Sequence, residues 1–71
     1  MSNKVDDIVI VLRSLESQRS AHKAELIKLL EAKSAMEKRG DRPTNLAAIS
    51  QKKSQITALD RRIESLKASL R

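Results

Sequence analysis

Apolar residues recur every three or four positions along almost the whole chain, and the recurrence is interrupted once. Before the interruption, Val5, Ile8, Leu12, Leu15, Leu26, Leu29 and Met36 fall on the a and d positions of a heptad. The same register puts Arg19, His22 and Lys33 there too, so the seam is imperfect. After the interruption the stripe is Leu46, Ile49, Ile56, Leu59, Ile63, Leu66 and Leu70, with one gap at Lys52-Lys53. A lysine in that gap is expected to lay its stem along the seam and keep its ammonium in water. The interruption itself, Gly40-Asp41-Arg42-Pro43-Thr44-Asn45, holds the chain's one glycine and one proline.

The ends of the periodic segments carry helix punctuation. Asn3 is placed to cap the first helix, and Asp6 and Asp7 suit the positive end of its dipole. Lys38 and Arg39 suit the other end, and Gly40 after them predicts a left-handed C-cap. Pro43 disfavours helix at Arg42 and is itself suited to a first helical position. The pattern therefore predicts helix one over 4–39, a turn at 40–43 and helix two over 44–71. The expected fold class is all-α: one antiparallel two-helix hairpin, coiled-coil-like, completed into a bundle by self-association or a partner.

Charge suggests a register for the two arms. Pairing residues symmetrically about the turn sets Glu16 beside Lys67, Arg19 beside Glu64, Lys23 beside Asp60 and Glu31 beside Lys52, each pair opposite in sign. Such surface pairs contribute about 0–1 kcal/mol each, so they select a register more than they stabilise it. In this register Arg71 lies opposite Leu12, and everything before Leu12 projects past its partner helix. The projecting run Ile8-Val9-Ile10-Val11-Leu12 is apolar nearly all round, a pattern that expects burial. Ile27 and Leu30 also widen the apolar face beyond the a/d seam. The candidate protein-interface residues are thus Val5, Ile8, Val9, Val11, Leu12, Ile27 and Leu30.

Composition sharpens this picture in three ways. A chain of 71 residues without cysteine or aromatic side chains has neither a disulfide nor a large core to hold it. Domains of this size rarely draw more than roughly 3–5 kcal/mol from one core, which again points to association. Two aspartates stand where a secretory signal would be basic, and the longest apolar run is far short of a membrane span, so a soluble cytoplasmic protein is expected. The net charge of +6 raises nucleic acid as an alternative partner, with Arg42, Lys53, Arg61 and Arg62 as candidate phosphate contacts. Without aromatics, recognition of single strands by base stacking is excluded.

Candidate chemistry is sparse. His22 sits in the seam with Glu25 three residues on and no further ligand at metal spacing, so it reads as a partly buried seam histidine. No nucleophile–base pair, glycine-rich loop or phosphate cradle is present, and neither enzymatic activity nor a cofactor, metal or small-molecule ligand is expected.

Gly40-Asp41 at a hairpin tip, with Asn45 four residues after the aspartate, resembles the coiled-coil tip of bacterial transcript-cleavage (Gre) factors. In that family the hairpin enters a channel of RNA polymerase, and two acidic tip residues help hold a catalytic metal. Asp41 matches the first of them. Thr44 stands where the second should be and has no carboxylate. The likeness covers about six residues and lacks the family's second domain. It implies a polymerase-binding hairpin without cleavage activity. In size and turn position the chain is also similar to small helical-hairpin co-chaperones of bacterial secretion systems. The leading expectation is a small assembly, adaptor or inhibitor protein of bacterial or phage type that packs helix against helix.

Overall fold

The computed structural model describes residues 4–70. They form an antiparallel hairpin of two helices, α1 (Lys4–Lys38) and α2 (Leu46–Ser69). The expected cap Asn3 and the terminal Arg71 lie outside the described residues. The molecule is a rod of 59 × 15 × 14 Å, as expected for a helix of 35 residues rising about 1.5 Å per residue.

α1 ends where the sequence says it must. Gly40 takes φ +79, which lies in the left-handed region. The amide of Gly40 donates to the Glu37 carbonyl (3.0 Å), and that of Asp41 donates to the Met36 carbonyl (2.9 Å). These are the two bonds of a Schellman cap, and only glycine enters this backbone region without a Cβ penalty.

α2 begins later than the proline suggests. Pro43 stays in the loop, and the first helical hydrogen bond runs from the Ile49 amide to the Asn45 carbonyl (3.0 Å). Asn45 occupies the N-cap position, but its side chain makes no cap bond. Its Nδ2 instead donates to the Leu29 carbonyl of α1 (2.9 Å), docking the start of one helix on the other.

That contact resets the register. Asn45 lies level with Leu29, not beside Lys38 as symmetry about the turn requires. The reason is chain rise. Residues 41–45 are non-helical, and an extended residue travels about 3.3 Å against about 1.5 Å in a helix. A non-helical stretch of this length can run back up to about 16 Å, far enough to pass the last turns of α1. Thr44 marks the descent, its hydroxyl 3.5 Å from the Met36 sulfur. Arg19 consequently pairs with Asp60 and not Glu64, and Lys52 with Glu25 and not Glu31. No ion pair involving Glu16, Lys23, Glu31, Glu64 or Lys67 forms among the described residues.

The core lies toward the free end. Leu12, Leu15, Leu59 and Ile63 bury one another, with Ile8 and Leu66 packed around them. Ile63 is fully enclosed. Ile49 and Ile56 are buried farther up the seam. Helix two thus reaches one turn or so farther along helix one than the charge pairing implied, and the projecting N-terminal segment shrinks accordingly.

Candidate interaction surface

The middle of the seam is polar. Half-buried His22 faces Lys52, whose ammonium lies 3.1 Å from the ring Nδ1. An ammonium can only donate, so in this contact Nδ1 is the acceptor. The same ammonium contacts the Glu25 carboxylate at 2.5 Å. The Lys52 side chain is only 16% exposed, so its head is held between two partners and not released to water as expected. The hydrogen bond from Lys52, and then its positive charge, hold the Glu25 carboxyl below the usual glutamate range. One turn farther down, Arg19 meets Asp60 at 2.8 Å. On α2 these polar contacts leave buried Ile49 above Lys52, buried Ile56 between Lys52 and Asp60, and the cluster around Ile63 at the far end.

The candidate interface residues separate into three groups. Leu12 is 7% exposed and belongs to the hairpin's own core, so it offers no surface to a partner. It was nominated because the symmetric register left it at the edge of the covered region, whereas α2 in fact extends past it. Ile8 is also drawn in, half-buried against the same cluster, and Val9 is half-buried. Val5, Val11, Ile27 and Leu30 are exposed.

Two residues outside that set are more exposed than most within it. Ile10, at 65%, points away from the seam. Leu46, at 54%, was expected in the helix-two stripe, but it is the first residue of α2 and flanks the seam. The apolar surface therefore has two parts. One comprises Val5, Ile10, Val11 and Leu70 near the free end. The other comprises Ile27, Leu30 and Leu46 near the turn.

The candidate phosphate contacts do not gather into one patch. Lys53 and Arg61 line a shallow groove along α2 together with Ser50, Ser54 and Thr57. Arg62 and Arg42 are exposed but do not line it. At the tip, Asp41 is held by Arg39 at 3.3 Å. Among the described residues no group of three or more His, Asp or Glu is placed to hold a metal, and no helix is long and apolar enough to cross a membrane.

No family, no curated protein and no solved structure matches this chain.

Proposed function

We propose that this hairpin is a non-catalytic interaction protein, an assembly factor, adaptor or inhibitor that acts by packing α1 against a protein partner or another copy of itself. The observation that carries this reading is the exposure of Val5, Ile10 and Val11, at 49%, 65% and 41%, on a helix covered along one side only. Each such side chain, if buried, would contribute roughly 1.5–3 kcal/mol. A small domain without cysteine has use for that contribution. Ile8 is unsuitable for testing the idea, because it supports the core. The appropriate variant is Ile10→Asp with Val11→Asp, both at exposed positions. It should keep its helicity by circular dichroism and lose complexes that the wild type forms, read by sedimentation of the pure protein and of host extract. A wild type that sediments alone as a monomer in both settings would remove this reading.

The groove with Lys53 and Arg61 favours a second reading, a basic helical protein associated with nucleic acid. Duplex DNA or RNA affinity that falls steeply with salt, and falls further in Lys53→Ala with Arg61→Ala, would support it. The remaining alternative, a polymerase-binding hairpin without cleavage activity, rests on Asp41 at the tip and would require Asp41→Ala to weaken polymerase binding.

A further inference from the structure

Four residues of α1, Val9, Glu16, Lys23 and Leu30, are spaced by seven and so share one stripe along the helix. Glu16, Lys23 and Leu30 are exposed, and Val9 is half-buried. The order along the stripe is apolar, acidic, basic, apolar. Read from the opposite end, it becomes apolar, basic, acidic, apolar. Laid antiparallel on a copy of itself, the stripe therefore sets Val9 against Leu30 of the second copy and Glu16 against Lys23 of the second copy, each twice. Neither charge is used inside the monomer, since no ion pair among the described residues involves Glu16 or Lys23. Ser20 lies next to the two-fold axis of this pairing, where a small side chain lets helices approach.

The pairing also sets Ile27 and Leu30 of one copy, both exposed, over the N-terminal part of the other.

We infer that a second copy of the chain docks on α1, joined two-fold and antiparallel through the stripe Val9–Glu16–Lys23–Leu30 to make a four-helix bundle. This face is separate from Ile10 and Val11, which follow Val9 by about 100° and 200° round the helix, so the inference adds self-association to the interaction reading above and leaves those two residues for another partner. An isologous contact of this kind closes on itself, so it gives a dimer and not a filament.

Charge reversal tests the register directly. Wild type should sediment as a dimer of the 8.0 kDa chain. Glu16→Lys alone and Lys23→Glu alone each set like charges together twice and should raise the dissociation constant about tenfold or more. The double variant Glu16→Lys with Lys23→Glu should restore wild-type affinity. As a second measurement, the chain lacks cysteine, so Ser20→Cys should form a symmetric disulfide dimer on oxidation far faster than Ser34→Cys. A wild type that remains monomeric at its highest soluble concentration overturns the inference. So does a dimer that the double reversal fails to restore, or one in which Ser34→Cys cross-links faster. In each of these cases the broader reading stands if Ile10→Asp with Val11→Asp still abolishes a complex with another protein, and falls with the inference if no such complex exists.

Discussion

At the free end of the hairpin Leu12, Leu15, Leu59 and Ile63 bury one another, while at the turn end Ile27, Leu30 and Leu46 stay exposed and a loop closes the structure through directional bonds. One end is held by the removal of apolar area from water, which is strong and tolerant of small displacements. The other is held by a covalent connection, a Schellman cap and the Asn45–Leu29 bond, each weak singly but exacting in geometry. The contrast explains why the loop governs register even though the core supplies more of the stability. Apolar rows spaced by seven pack acceptably in several registers a turn apart, whereas Asn45 reaches one carbonyl.

The largest test of this contrast is Ile63→Ala against Ile27→Ala. Ile63 is fully enclosed, and its truncation should cost about 2–5 kcal/mol, enough to unfold much of so small a domain. Ile27 is 57% exposed, and its truncation should lie within about 0.5 kcal/mol of neutral. Urea unfolding followed by circular dichroism reads both, and equal losses would erase the distinction between the ends.

Gly40→Ala probes the cap. Nothing lies within 4 Å of the added Cβ, so the cost is that of the left-handed backbone alone, about 1–2 kcal/mol. A neutral result would show that the loop reaches its place by another path.

Asn45→Ala removes the bond to Leu29 and also removes the side-chain Oδ1, which is buried without a hydrogen-bond donor from the protein. The two effects oppose each other, leaving a net loss of about 0.5–1 kcal/mol. The more telling readout is register. A spin-label pair at exposed Ser20 and Thr57 should shift or broaden in the variant, and an unchanged distance distribution would return control of the register to the seam.

The smallest effect concerns the polar layer. Because Lys52 lowers the Glu25 pKa in the folded state, the stability from this contact is complete above the ordinary glutamate value of about 4.3 and fades as pH falls through the folded value. Glu25→Gln should therefore flatten the acid side of the melting-temperature profile, with little change near neutrality. A variant whose acid limb matches wild type would assign that limb to other carboxylates.

The seam was legible residue by residue. Ile8, Leu12, Leu15, Arg19, His22, Leu26, Leu29, Lys33 and Met36 are all buried or half-buried in the structure, polar members included. Val5, Leu46 and Leu70, expected in the stripes, are exposed because each sits at the edge of the paired region. The pairing of charges across the arms was not legible. Alternative pairings of similar weak energy exist a turn away, and sign alone does not rank them. Of the candidate surface, Val11, Ile27 and Leu30 lie outside the seam and Val5 at its end, and all four are exposed. Leu12 was misassigned and Leu46 missed for one reason, the unknown path of the loop.

Local chemistry written in the chain determined two helices, their facing stripes, the left-handed cap at Gly40 and the single reversal between them. Each depends on residues near one another in sequence, through periodicity, capping or the constraints of glycine and proline. The register, the partners of Lys52 and the boundary between core and exposed surface were decided only in three dimensions. They depend on how far five loop residues travel and on where Asn45 lands, and those distances are properties of the folded path.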